Sequence, residues 1–273
     1  MSAAAFFDMD GTLLPPPSLE RQFLRFLSWR KELHLAQRAR WAGRFLRSVW
    51  SDPLAATHGN KGLYAGVRVS CLDSWITLVR RHGFASIEHN SASFESTQHI
   101  SASFPFFPLG LNCLAWHAAQ RHRIFLITGT LRPVAHAVAD ALAKVLSHRL
   151  GFEVPLSDVA TELEIRDGRF TGHVVGAAVC GPQKARALEE LAARHGLDFA
   201  SSFAYANSFA DRWMLSRVGH PVAVNPSLLL RLLARRRGWP VAFWTAGASR
   251  PERERINAEP AVALQHEVRP NRP

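Results

Sequence analysis

The chain has 273 residues, 47% of them hydrophobic, with 17 glycines and 16 prolines. That composition excludes a disordered or fibrous polymer and suffices for one large domain, or a core domain carrying a smaller inserted one. A formal net charge of +11 concentrates anions near the surface, whether phosphate esters, nucleic acid or acidic lipid headgroups, without choosing among them.

Residues 3–7 form a short Phe-rich apolar run that ends at Asp8, just before Asp10-Gly11, which suits a buried strand. Carboxylates this early do not fit a secretory signal, and no uncharged apolar run reaches the ~20 residues of a membrane span. Cys71, Cys113 and Cys180 lie far apart without a CxxC pair, so neither a zinc site nor a disulfide framework is indicated. A soluble, cytoplasmic protein is expected. From residue 18 to about 50 the pattern is helical, with Phe23, Phe26, Leu27, Leu33, Trp41, Phe45 and Leu46 recurring among many Arg and Lys. Ser18 is placed to cap that helix, because Pro15-Pro16-Pro17 cannot itself be helical. A second helix is expected over 63–82, and 84–107 is less regular.

Beyond Pro108 the spacing predicts a helix over 111–121, a strand over 123–127 ending at Thr128-Gly129-Thr130, and a helix over 133–150. Residues 160–175 alternate around Asp167-Gly168, a hairpin signal. A helix over 183–195, a strand over 202–206 and a short helix over 211–218 follow. Strands over 221–224 and 240–244 bracket a helix over 227–237. Strands alternating with helices imply an α/β fold: a Rossmann-like, doubly wound, mostly parallel sheet. The expected organisation is an α/β core from 1–17 and 108–246, a helical cap inserted at 18–107, and a flexible tail over 247–273 rich in Pro, Arg and Glu.

Ligands of an open α/β sheet bind beyond the carboxyl ends of its strands. Three predicted strands end in Asp8-Met9-Asp10-Gly11-Thr12, in Thr128-Gly129-Thr130 and in Asn207-Ser208-Phe209-Ala210-Asp211, and Lys184 stands early in a helix between the last two. Carboxylates, an amide oxygen, a hydroxyl and an ammonium would meet at one edge of the sheet. A calcium-binding EF-hand is excluded, because Gly11 comes too early and no closing Glu follows.

The segment Phe6-Phe7-Asp8-Met9-Asp10-Gly11-Thr12-Leu13 resembles the first signature of the haloacid dehalogenase superfamily, and the other three motifs follow in order. The helical insert after the first motif, the 161–172 hairpin and the segment from Val218-Gly219-His220-Pro221 to Asn225-Pro226 look most like the phosphoserine phosphatase-like branch, subfamily IB, with a C1-type cap. The resemblance implies a Mg²⁺-dependent phosphomonoester hydrolase acting on a small phosphorylated metabolite. Asp8 would attack phosphorus to give an aspartyl-phosphate, with Asp10 as acid and then base. The metal ligands implied are the Asp8 carboxylate, the Asp10 backbone carbonyl, the Asn207 side chain, and Asp211 directly or through water. Thr128 and the backbone N–H that follows it, at Gly129, would hold phosphoryl oxygens, and Lys184 would offset the accumulated negative charge. One departure is Ala206-Asn207 where the family has Gly-Asp. It removes a negative charge and shifts metal binding onto Asp8 and Asp211, with activity expected to be retained.

His117 and His122 have no Cys or His partner pair and read as surface or packing residues. His220 is expected in a turn. Arg231, Arg235, Arg236 and Arg237 fall near a helix C-terminus, where cations suit the macrodipole. No nucleic-acid motif is present, and no nucleic-acid partner is expected. The Trp- and Arg-bearing stretch 21–50 reads as cap helix packed on its neighbours, with weak contact to an anionic membrane as the alternative. Two other functions stay open: a non-catalytic binding protein on the same scaffold, motivated by Asn207, and a membrane-surface lipid-phosphate phosphatase, motivated by the basic insert.

Overall fold

The structure, a computed structural model, describes residues 2–50, 59–82 and 104–245. Its centre is β1 (Ala4–Phe7), buried at every position. β1 pairs in parallel with β2 (Arg123–Leu131) on one side and β6 (Phe203–Ala206) on the other. β3 (Leu156–Thr161) extends the sheet beyond β2, and β7 (His220–Val224) and β8 (Val241–Ala242) extend it beyond β6. The order is β3-β2-β1-β6-β7-β8, with every pairing parallel.

Side chains alternate across a strand, so an unbroken apolar run must be covered on both faces. Ala4 and Phe6 lie in one core with Phe125, Ile127 and Ala204, whereas Ala5 and Phe7 lie in the other with Leu126, Tyr205 and Val222. Facing rings fix the register across neighbouring strands: Phe6 stacks on Phe125 at 5.5 Å, and Phe7 on Tyr205 at 4.5 Å and 7°. The Phe6 face is covered by α6 (Pro182–His195), which buries Ala187, Leu188 and Leu191, by α7 (Arg212–Leu215), which buries Met214 and Leu215, and by α8 (Leu228–Arg237), which buries Leu230 and Ala234. The Phe7 face is covered by α4 (Pro108–Ala119) and α5 (Arg132–Leu150), through Leu114, Val138, Leu142 and Leu146. The chain steps outward from β1 to β2 and β3, then resumes on the far side with β6. This reversal places the crevice of the sheet between β1 and β6.

The expected helix over 18–50 is two helices. α1 (Leu19–Trp29) and α2 (Leu35–Ser48) are separated at Lys31, whose φ of 57° turns the chain. Ser18 does cap α1, its hydroxyl accepting from the Arg21 N–H at 3.4 Å. α3 (Val69–His82) begins later than expected, after a single 3₁₀ turn at Gly62–Tyr64. Phe23 of α1 meets Trp75 of α3 at 5.3 Å and Tyr64 at 5.8 Å. The alternating stretch from 160 divides between β3, which ends at Thr161, and a hairpin of β4 (Leu163–Arg166) and β5 (Arg169–Val174). Most of β3 escaped the sequence pattern because it is a half-exposed edge strand containing Ser157 and Asp158. The hairpin turn is as expected: Asp167 and Gly168 both adopt left-handed φ, 49° and 70°. The hairpin bonds to the segment before α3, Gly66 N–H to Phe170 O at 2.7 Å and Val69 N–H to Gly168 O at 2.9 Å. His220 opens β7 rather than sitting in a turn. The 247–273 tail, and all but the last four residues of the irregular stretch 84–107, lie outside the described residues.

Candidate active site

Asp8 follows the last residue of β1 and is tied to the neighbouring strand by its N–H, which donates to Tyr205 O at 2.9 Å. The chain then folds back sharply: the N–H groups of Thr12, Leu13 and Leu14 all donate to Met9 O, at 3.2, 2.9 and 3.0 Å. Gly11 sits at φ 82°, and a Cβ there would fall 2.0 Å from Asn207 Nδ2. Glycine is therefore required twice, for the turn and for the close approach of the β6 loop. This contact brings Asn207 onto the Asp10-Gly11 turn.

Lys184 is the third residue of α6, where a cation opposes the helix dipole. Its stabilisation comes from carboxylates instead: Nζ lies 2.5 Å from Asp8 Oδ1 and 2.7 Å from Asp211 Oδ1. All three side chains are buried. Asp211 ends the 3₁₀ turn Phe209–Asp211 that follows β6, so the parallel pairing of β1 with β6 delivers both carboxylates to one point. The second oxygen of Asp8 accepts from the Thr12 hydroxyl at 3.0 Å. Burial, together with the like charge of Asp211, pushes the Asp8 carboxyl above its ordinary range, while Lys184 and Thr12 pull it down. Burial alone would lower the Lys184 ammonium, but the carboxylates of Asp211 and Asp8 outweigh it and hold the lysine above its usual range.

Asp10 links three elements. Its Oδ1 accepts from the N–H of Leu19, the first residue of α1, at 2.8 Å, and its Oδ2 accepts from the Thr130 hydroxyl at 2.7 Å. An anion at a helix N-terminus is favourable. Burial nevertheless dominates and pushes the Asp10 carboxyl up to about 6, against the Leu19 and Thr130 hydrogen bonds. The group is thus poised near neutral pH, as proton transfer in both directions requires.

Thr128 is buried near the end of β2, where its hydroxyl accepts from the Thr130 N–H at 3.2 Å. Gly129 is half-buried, and a Cβ there would stand 3.5 Å from Val179 O. β2 continues through both residues to Leu131, with an irregular register between Thr128 and Leu131. The expected residues Asp8, Asp10, Lys184 and Asp211 are joined by direct contacts or by sequence, and Asn207 packs on their turn. Sequence reasoning placed Thr12 and Thr130 within the first two motifs but missed their roles: their hydroxyls hold Asp8 and Asp10. The role of Thr12 could have been found from the first motif. It also missed Lys61, which is buried and bonds Glu20 through 2.7 and 2.6 Å contacts. Glu20 contributes to raising Asp10, and burial with Glu20 nearby raises the Tyr64 phenol well above its ordinary value. Nothing in the spacing marked Lys61 or Tyr64.

The donor set bears on a metal. Among the described residues no three Asp, Glu, His or Cys side chains converge closely enough to hold an ion alone. The remaining oxygens are those of the Asn207 amide and the Asp10 carbonyl. With Asp8 and Asp211 they form an all-oxygen set, and Asp8, Asp10 and Asp211 together outweigh the one charge of Lys184. Such a set fits a hard divalent cation such as Mg²⁺. His117, by contrast, is a packing residue: Nδ1 lies 2.8 Å from His122 Nδ1, Nε2 lies 2.8 Å from the Tyr205 hydroxyl, and burial lowers the ring to about 3. No helix of the described residues is long and apolar enough to cross a membrane.

The family model for haloacid dehalogenase-like hydrolases matches residues 5–216. Phosphoserine phosphatase SerB1 of Mycobacterium tuberculosis is 40% identical over 125 residues, 46% of this chain and 37% of that protein. A probable phosphatase of Mycobacterium tuberculosis is 42% identical over 175 residues, 56% of this chain and 59% of that protein. The chain thus spans less than two thirds of the length of these curated relatives. The crystal structure of a Bordetella pertussis Tohama I protein of unknown function aligns with a TM-score of 0.63 at 26% identity, covering 88% of this chain and 98% of that one.

Proposed function

Because the chain belongs to the haloacid dehalogenase-like hydrolase family, we propose that it is a phosphatase that cleaves a small phosphomonoester through an aspartyl-phosphate on Asp8, with Mg²⁺. The observation that carries this reading is the buried Asp8–Lys184–Asp211 bridge, at 2.5 and 2.7 Å, with Asp10 two residues along and raised to about 6. A purely structural turn has no use for two buried carboxylates sharing one ammonium, an arrangement that costs desolvation.

In the proposed reaction an Asp8 oxygen attacks phosphorus, the ester P–O bond breaks, and Asp10 donates its proton to the departing alkoxide. Asp10, now ionised, then takes a proton from water as that water attacks phosphorus, and the bond to Asp8 breaks with release of phosphate. Lys184 fixes Asp8 in position and balances charge throughout; the Leu19 N–H and the Thr130 hydroxyl favour Asp10 as the anion formed after the first step. Each carboxylate oxygen of Asp10 has a further lone pair beyond the one its present hydrogen bond uses. Thr128 and the Gly129 N–H are assigned to the phosphoryl oxygens. Mg²⁺, held by Asp8, the Asp10 carbonyl, Asn207 and Asp211, would supply charge neutralisation at those oxygens. The segment 18–107 is assigned the role of a cap that selects substrate and excludes water. The mycobacterial relatives named as phosphatases support the reaction class.

Purified full-length protein assayed against a panel of phosphate esters, with and without Mg²⁺ and beside Asp8→Asn, tests the reading. Metal-dependent phosphate release that vanishes in Asp8→Asn is expected. A folded wild-type protein that hydrolyses none of the panel would overturn it.

A further inference from the structure

A helix on a soluble domain turns its apolar stripe to the core and its charges to water. α1 obeys this rule, burying Leu19, Phe23, Phe26 and Leu27. α2 does not. The side chains it turns inward are mixed: Gln37 is buried and donates to Ala65 O at 2.8 Å, Arg44 donates to Gly172 O at 2.6 Å, and half-buried Trp41 and Phe45 stack on each other at 5.3 Å. Its outward stripe is apolar. Leu35 and Leu46 are 84% and 68% exposed, and exposed Ala39 and Ala42 lie between them. At about 100° per residue these four positions fall within a sector of about 60°. Trp50, 92% exposed, stands just beyond the helix end. Exposed Arg38 borders one side of the stripe and exposed Arg40 and Arg47 the other, and α2 contains no acidic residue.

The charge decides what such a stripe fits. A second copy of this chain laid on it would set arginine against arginine, on a protein that already carries +11. An anionic bilayer offers the reverse: an acyl boundary for Leu and Trp, and phosphates on either side for the flanking Arg. We propose that α2 docks the protein in the plane of an anionic lipid surface, with Leu35, Leu46 and Trp50 entering the acyl boundary and Arg38, Arg40 and Arg47 meeting headgroup phosphates. The proposal does not rest on the hydrolase reading, and its test reads binding rather than turnover.

The full chain is sedimented with vesicles of phosphatidylglycerol and phosphatidylcholine in equal parts, and with phosphatidylcholine alone, at low and high salt. Binding to the anionic vesicles at low salt, weakened by high salt and absent on phosphatidylcholine, is expected. The Leu35→Ser/Leu46→Ser pair keeps the charge unchanged and lowers partitioning at least about tenfold. Leu228→Ser/Leu232→Ser on α8, which removes two other exposed leucines near Arg235, Arg236 and Arg237, leaves partitioning unchanged. If the α2 leucine pair does not fold by circular dichroism, the solvent-facing Arg38→Gln/Arg47→Gln pair takes its place and weakens low-salt binding. Absent binding at low salt, binding indifferent to the α2 pairs, or equal loss in the α8 pair would each overturn the proposal. So would a lipid-free dimer that the α2 leucine pair dissociates, since the stripe would then belong to a second copy.

Discussion

Replacing Lys184 by Met keeps the side chain's volume and removes the one charge between Asp8 and Asp211. At 2.5 and 2.7 Å each ammonium–carboxylate contact amounts to about 6 kcal/mol at an effective dielectric of about 20, before desolvation takes most of it back. Removing one partner of a buried pair leaves the other charge uncompensated, a net loss of about 3–5 kcal/mol. The loss depends on pH. The Asp8 carboxyl already lies above its ordinary 3.8 through burial, and without Lys184 it rises further. Between the ordinary value and the raised one the folded state binds a proton that the unfolded state does not. Stability therefore falls as pH rises through that window, by about 1.4 kcal/mol per pH unit for one group. Urea unfolding in EDTA at pH 8 and pH 5 checks this. Lys184→Met should lose about 3–5 kcal/mol at the higher pH and recover part of it at the lower. Lys184→Met/Asp211→Asn should be more stable than Lys184→Met at pH 8, because one stranded charge is gone. A Lys184→Met protein as stable as wild type at pH 8, or one whose loss does not shrink on acidification, would refute the reasoning.

Gly11→Ala adds a Cβ at φ 82°, 2.0 Å from Asn207 Nδ2; the Asn207 amide must move, and the Mg²⁺ concentration giving half-maximal hydrolysis should rise about tenfold or more. An unchanged metal titration would mean that Asn207 is not a ligand. Asp10→Asn should lower kcat at least about 10²-fold. Wild-type Asp10, raised to about 6 from 3.8, loses stability as pH rises through that interval, so in EDTA at pH 8 the folded variant should be more stable by up to about 3 kcal/mol; a destabilised variant there would count against the burial of a charged Asp10. His117 is neutral when folded, its ring lowered to about 3 by burial, whereas the unfolded ring takes a proton below about 6.5. It therefore subtracts stability as pH falls from about 6.5 towards 3, about 2 kcal/mol by pH 5. Because Asp10 contributes with the opposite sign over part of that range, the test is the difference between wild type and His117→Gln. The variant should lose less stability than wild type between pH 7.5 and 5, and parallel pH curves would contradict the buried neutral histidine.

The central sheet was legible because its strands are buried on both faces: the run that ends at Phe7 and the run that begins at Arg123 carry enough apolar residues to be read without context. β3 was not, since an edge strand holding Ser157 and Asp158 needs no apolar run. The division of the 18–50 helix was also hidden. Its break depends on Lys31 adopting φ 57°, which no residue type at that point announces. In the site, Asp8, Asp10, Asn207, Lys184 and Asp211 were found through motif order, because strand ends recur at fixed places in this topology. The role of Thr130 and the Glu20–Lys61 pair were missed for the opposite reason: they arise from contacts across 120 and 41 positions of sequence. The expectation that the apolar residues of 21–50 pack on neighbours holds for Phe23, Phe26 and Leu27 of α1, is met halfway by half-buried Trp41 and Phe45 of α2, and fails for Leu35 and Leu46, although α2 is equally helical in its periodicity. Periodicity reports which residues share a face; it does not say whether that face meets the core or something outside the chain.

The central claim is that Asp8 is the nucleophile, and it is tested most directly by trapping the intermediate. Full-length protein mixed with Mg²⁺ and the best ester of the panel is quenched in acid during turnover, and its peptides are mapped by mass spectrometry. The account predicts phosphate on the peptide containing Asp8, absent in Asp8→Asn and accumulating in any variant that slows the second step. Turnover at full rate by Asp8→Asn, or phosphate attached reproducibly to a different residue, would contradict it.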